Sequence, residues 1–308
     1  MSSASATQTT AAIPRWIGVT LLLIIATLFA ANHVAARFAF DNGANVLFGV
    51  LVRSAGTALV VFALMLVYRV PLTLAGVPRW RMAIVGVLIC VQSYCLYSAV
   101  ALIPVGLALL VFNTSPLIMA LVFWATGGER PTRRTMVVIP VALAGLALAL
   151  DPFGWSGKGS TVTARWTEIG AGVGYGLAAA LSFVLAMLCT TRWLTAIDGR
   201  MRSFVSMTTV AVLVAGAGLA SEGFAIPRDG SGWIALACLT VLYGTGFTAA
   251  FILLPKVGAV NNAAVLNFEP VAALFFAWLI LGQTIAPLQV TGAAIVIAAI
   301  VIAATGKR

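Results

Sequence analysis

Residues 111–129 read VFNTSPLIMALVFWATGGE, and residues 265–283 read VLNFEPVAALFFAWLILGQ. The offset is 154 residues, and in that register Val111, Asn113, Pro116, Trp124 and Gly128 fall on Val265, Asn267, Pro270, Trp278 and Gly282. Membrane-like composition alone matches Leu with Ala often, but rarely Asn, Pro, Trp and Gly together. Carrying the same offset outward superimposes five apolar runs of one half on five of the other. The sequence is a tandem duplication.

Those runs cover residues 16–36, 46–68, 82–103, 105–126 and 136–150, then 169–190, 204–220, 233–254, 258–281 and 288–304. Each approaches the roughly 20 residues a helix needs to cross a bilayer. The chain has 308 residues, 62% hydrophobic and 8% charged, with a mean hydropathy of +1.08. A soluble domain carries about 25% charged residues, so a water-soluble enzyme is excluded. The expected fold is an all-α polytopic membrane protein of ten transmembrane helices. Five spans per half is an odd number, so the second half must cross in the opposite sense. Two inverted five-helix repeats are the plan of many secondary transporters.

The net charge is +10, from 18 Lys and Arg against 8 Asp and Glu. With the N-terminus inside, 13 of the 18 fall on cytoplasmic segments and four outside, while Arg53 lies within a span. The positive-inside rule then places both termini in the cytoplasm. The basic balance is thus a topology signal, and no basic stripe interleaved with aromatics supports nucleic-acid binding. Trp16, Trp80, Trp166, Trp193 and Trp233 fall at span ends as an interfacial belt. The expected organisation is a disordered cytoplasmic tail (1–13), a first repeat (14–154), an outer linker (155–168) and a second repeat (169–308).

Few polar groups lie within the spans. Glu269 is read as an acid deep in the ninth, one residue before a mid-helix proline; a charge there must be paired or hydrated. His33, the sole histidine, sits beside Asn32 in the first span. Arg53 is read as a partner for a substrate carboxylate, or as a structural residue that snorkels to the outer interface or braces helix ends. Pro116 and Pro270 are expected to kink the fourth and ninth spans as hinges, near Asn113 and Asn267. Ser93, Tyr94, Tyr97 and Ser98 share adjoining ridges of the third span, Tyr175 and Tyr243 add phenols, and Asn262 shares a face with Glu269. Together these suggest a mostly neutral, amphipathic substrate site, or helix-bridging polar groups. Gly170, Gly172, Gly174 and Gly176 form overlapping small-x-x-x-small patterns for close helix approach.

At these residues the chain resembles the EamA family of the drug/metabolite transporter superfamily, over nearly its full length. Phe29–Arg37 (FAANHVAAR) is similar to the family's Trp-Gly-Ser-Asn-x4-Lys stretch, with Asn32 and Arg37 matching and Phe29 and Ala30 departing. Arg53 stands where the family carries an Arg early in its second helix. The segments from Pro104 through Pro116 to Gly128-Glu129, and from Gly258 through Glu269-Pro270 to Gly282-Gln283, resemble the ends of EamA repeats, with Gln283 replacing the usual Glu. The resemblance implies a ten-helix exporter of small metabolites, amino acids included, or drugs, similar to aromatic amino-acid exporters.

No Walker A motif is present: Gly154-Trp-Ser-Gly-Lys158-Gly-Ser has the wrong glycine spacing and lacks Ser/Thr after the lysine. Cys90, Cys95, Cys189 and Cys238 show neither zinc nor disulfide spacing, and no hydrolase motif appears. No cofactor or metal is expected. The reading is a secondary transporter in the bacterial inner membrane, exporting amino acids, especially aromatic or apolar ones, or similar metabolites by movement of its two halves. A multidrug or cation exporter, a membrane-embedded enzyme and a channel are the alternatives.

Overall fold

A computed structural model describes residues 15–127, 133–150, 162–221, 223–257, 268–283 and 286–305. These form α1 (Arg15–Asp41), α2 (Val46–Val67), α3 (Arg79–Leu102), α4 (Val105–Phe112), α5 (Ser115–Ala125), α6 (Arg133–Leu150), α7 (Val162–Trp193), α8 (Gly199–Ala220), α9 (Gly230–Val257), α10 (Glu269–Leu281) and α11 (Pro287–Thr305). Among the described residues there is no strand. The tail at 1–13, much of the outer linker, Asn262 and Asn267 lie outside them.

Seven segments are long and apolar enough to cross a membrane, α4 and α5 counting as one. Shorter apolar helices at Pro140–Ala149, Glu269–Leu281 and Pro287–Ala299 stand where the fifth, ninth and tenth spans are expected. Several helices run past the apolar stretches that announce them, because a charged residue at the interface is still a good helix former. α1 continues through Arg37 to Asp41, α8 starts before Arg200 and Arg202, and α7 begins at Val162, within the stretch expected to be linker. Asn45 starts α2 by accepting from the Phe48 N–H (2.9 Å), and Asp198 starts α8 by accepting from the Arg200 N–H (2.8 Å).

The two halves are interleaved. α3 packs on α7, α1 on α9 and α10, α2 on α8 and α9, and α6 on α11, while contacts between helices of one half are slighter. Exchanging α1 with α7, α2 with α8, α3 with α9, the α4–α5 pair with α10, and α6 with α11 turns α1–α9 into α7–α3. It also turns α1–α10 into α7–α4/α5, and α2–α9 into α8–α3. The pairs α2–α8 and α6–α11 map onto themselves. The duplication is therefore also a pseudo-two-fold of packing. Among the described residues, most of the helix packing runs between the halves rather than within one.

Small residues allow the closest approaches. A Cβ on Gly172 would lie 2.5 Å from Ile103 Cγ2, and one on Gly176 2.8 Å from Val111 Cγ1. Gly174 faces open space and Gly170 meets only Trp166, so half of the expected glycine stripe is used. Between α6 and α11, Gly145 would meet Ile295 Cγ2 at 2.8 Å, and Gly292 abuts the Ala149 backbone. The outer surface carries Leu59, Val67, Val212, Leu219, Ile234 and Val241, each more than 60% exposed. Water does not tolerate an apolar surface this extensive; lipid does. Trp16, Trp80, Trp166 and Trp233 are exposed at helix ends, while Trp193 packs edge-on against Trp80 at 5.5 Å.

Candidate functional site

The polar residues of α1, α2, α3, α9 and α10 converge around one aromatic ring, Tyr97, which is 1% exposed. Asn32 is wholly buried. In the amide orientation that satisfies both groups, its Nδ2 donates to the Leu239 carbonyl (3.1 Å) and its Oδ1 accepts from the Tyr97 hydroxyl (3.0 Å). Asn32 thus ties α1 to α3 and α9.

His33, next along α1, turns to α10. Its Nε2 lies 3.3 Å from Glu269 Oε1, with side-chain exposures of 6% and 19%, and its ring is 5.4 Å from that of Tyr97. Among the described residues Nδ1 is buried without a hydrogen-bond partner. Glu269 is not in mid-helix, as its sequence context suggested. It is the first residue of α10, with Pro270 in the opening turn, the end of a helix whose dipole favours a carboxylate.

The fourth span is broken rather than kinked. α4 ends at Phe112 and α5 restarts at Ser115, with Pro116 in its first turn, where the missing N–H costs nothing. The carbonyls at the break find local donors: Asn113 Nδ2 donates to Leu109 O (2.8 Å) and Thr114 Oγ1 to Val111 O (2.7 Å). The Asn113 amide nitrogen thereby helps to close α4. Non-helical backbone at membrane depth is tolerated where protein covers it, and Thr114 and Ser115 are buried.

Arg53 does not snorkel. It is 2% exposed, its Nη2 donates to Ser93 Oγ (3.0 Å), and its Cζ lies 4.0 Å from the Tyr243 ring centroid and 5.0 Å from that of Tyr97. Tyr243 is stacked on Phe247 at 5.7 Å and faces Phe29 at 5.9 Å. Sequence reasoning named Tyr97, Tyr243, Ser93 and Arg53 separately; it did not bring them together. Tyr94 and Tyr175 form a separate edge-on pair at 6.3 Å. Near the helix ends Arg37 pairs with Asp41 (2.9 Å), and its Nη1 donates to the Val100 and Ile103 carbonyls at the end of α3. A groove of about 600 Å³ between α6 and α11, lined by residues including Val137, Val141, Ile295 and Ile302, has no group to orient a polar solute.

The arrangement can hold and exchange charge inside an apolar bundle: a carboxylate with an imidazole, and a guanidinium under aromatic rings. It has no nucleophile–base pair set for bond cleavage among the described residues. A solved structure described only as "Crystal structure of protein" is similar over 94% of this chain and 96% of its own, with a TM-score of 0.60 and 21% identity, a likeness of fold. No curated protein matches the sequence. The EamA-like transporter family model matches residues 16–150 and again 170–305. Two copies of that repeat account for the duplicated register and the exchange symmetry of the helices, and the chain belongs to the EamA-like transporter family.

Proposed function

We propose that the protein is a secondary transporter that exports amino acids, aromatic or apolar ones foremost, or similar small metabolites, across the bacterial inner membrane. Both termini face the cytoplasm, ten spans cross as two inverted repeats, and the site alternates between the two sides. The observation that carries this reading is the His33–Glu269 pair, buried between α1 and α10 beside the start of a proline-opened helix. A lone carboxylate there would be costly; paired with an imidazole, it is stable at rest and free to exchange partners when a cationic group arrives.

The interleaved packing supports a specific form of alternation. α1, α2, α9 and α10 make one set of neighbours, and α7, α8, α3 and α4–α5 make its pseudo-symmetric counterpart. Rocking of one mixed set against the other moves the site from one side to the other, and the broken helices absorb the change. Asn32, His33, Tyr97, Tyr243 and Glu269 are proposed to contact solute or shape its site. Tyr94, Tyr175, Asn113, Asn262 and Asn267 stand as further substrate contacts, and Pro116 and Pro270 as hinges.

Purified protein in liposomes, assayed with a panel of labelled amino acids at two pH values, tests the reading. Saturable uptake with counterflow is expected. Flux that rises linearly with concentration and shows no counterflow would make the protein a channel, and chemical conversion of a solute would make it an enzyme. The alternative of an organic-cation exporter is favoured by Glu269 and the aromatic rings of Phe29, Tyr243 and Phe247, and disfavoured by the positive charge of Arg53 among those same rings.

A further inference from the structure

Arg53 lies seven residues into α2, about 10 Å from its start at 1.5 Å per residue, and only 2% of its surface is exposed. Guanidinium does not deprotonate in proteins, so this is a fixed charge inside the bundle. Among the described residues the only ion pairs are His33–Glu269 and Arg37–Asp41, and neither includes Arg53. Its neighbours are neutral: Ser93 Oγ at 3.0 Å, Ser54 Oγ at 3.4 Å, and the rings of Tyr243 and Tyr97. Nε is buried and, among the described residues, has no hydrogen-bond partner. Five donors in a rigid fork are thus met by two serine hydroxyls and the side chains of Tyr243 and Tyr97, all neutral. That leaves a charge solvated well enough to survive but not neutralised.

We infer that Arg53 is an anion subsite that receives the carboxylate of the transported solute, bidentately, with the Tyr243 ring as its removable cover. The inference rests on the transporter reading for the solute's passage, though not for its binding. The chemistry selects a monoanion. A phosphate ester would want a second cation, and Arg37 is already spent on Asp41 and on the carbonyls of Val100 and Ile103. A carboxylate suits the planar fork. Tyr97 flanks both Arg53 and His33, so a zwitterion has a separate partner for each end: its carboxylate on Arg53, and its ammonium competing with His33 for Glu269.

The test uses the full chain in detergent. Thermal shift and equilibrium binding are measured with the twenty L-amino acids, their amides and the matching decarboxylated amines, on wild type, Arg53→Gln and Arg53→Lys. At least one free acid is expected to bind, and its amide and amine at least about tenfold more weakly, as for the loss of a charge-assisted pair. Arg53→Gln should erase the acid's advantage over its amide, and Arg53→Lys should keep part of it. Amides binding as well as acids, no acid in the panel binding, or Arg53→Gln binding the acid undiminished would overturn the subsite. If Arg53→Gln does not fold, the acid-against-amide comparison on wild type decides. Counterflow of amides or amines in liposomes would remove the subsite and keep the transporter. An acid that binds through Arg53 yet shows no counterflow would do the reverse.

Discussion

Glu269 and His33 meet across α1 and α10 at 3.3 Å, and the unpartnered Nδ1 of His33 limits what the pair can do. With the Nε2 proton pointing at the carboxylate, neutral imidazole leaves only a bare lone pair at Nδ1. Glu269→Gln keeps the shape and removes the charge. It is expected to cut transport about tenfold or more and to flatten its pH dependence, with the melting curve in detergent unchanged. Unaltered kinetics and an unaltered pH profile would take Glu269 out of the mechanism. At the mouth of α9, Asp229 plays a purely structural part. The Gly232 N–H and the Ser231 hydroxyl, each at 2.9 Å, bond its carboxylate and hold its pKa below the ordinary value. A carboxyl whose folded pKa is depressed stabilises above its unfolded value and loses that contribution as pH falls through the folded one. Amide exchange in the first turn of α9 should therefore quicken as pH drops below about 4, after correction for intrinsic rates, and Asp229→Ala should show the faster exchange already at neutral pH.

The helices themselves were legible, because a run of about 20 apolar residues between charges has few other fates. The break between α4 and α5 was not. A proline in the first turn of a new helix and a proline inside a kinked one look alike in sequence, and the difference lies in how Asn113 and Thr114 close the preceding turn. Replacing Pro116 with Ala restores an N–H donor and favours a continuous α4–α5. The expected result is slower turnover with little change in solute affinity, read from transport rates and binding isotherms side by side; equal turnover would reduce the break to a packing feature. Helix pairing was also hidden, since lipid-facing and partner-facing residues are equally apolar and hydropathy does not distinguish them. Only small residues marked the contacts. Gly292 faces the Ala149 backbone, which cannot rotate away as a side chain can, so Gly292→Leu should cost about 1–3 kcal/mol and lower the thermal midpoint. Gly174→Leu, facing open space, is the control and should leave it in place.

The site was legible as a set of residue types and illegible as a set of neighbours. Arg53 and Ser93 are forty residues apart, and Tyr243 comes from the other repeat, so only the tertiary pairing of α2 with α3 and α9 gathers them. The sense in which the repeats cross the bilayer is testable on the intact protein. Thr73, in the α2–α3 connection, and Ala225, in the α8–α9 connection, are exposed and occupy equivalent loops of the two repeats. After replacement of the four native cysteines, Thr73→Cys and Ala225→Cys are expected to react with a membrane-impermeant maleimide from opposite sides. Labelling of both from one side would mean parallel repeats and would remove the basis for alternation by pseudo-symmetric exchange.

Because α1 is completed by α9 and α10, and α3 by α7, a cut anywhere between 150 and 162 would leave two fragments with most of their mating surfaces bare. Produced singly, each fragment should be degraded or scavenge foreign helices. Produced together from separate messages, they should find each other in the bilayer and assemble as a heterodimer, with the covalent link between them dispensable.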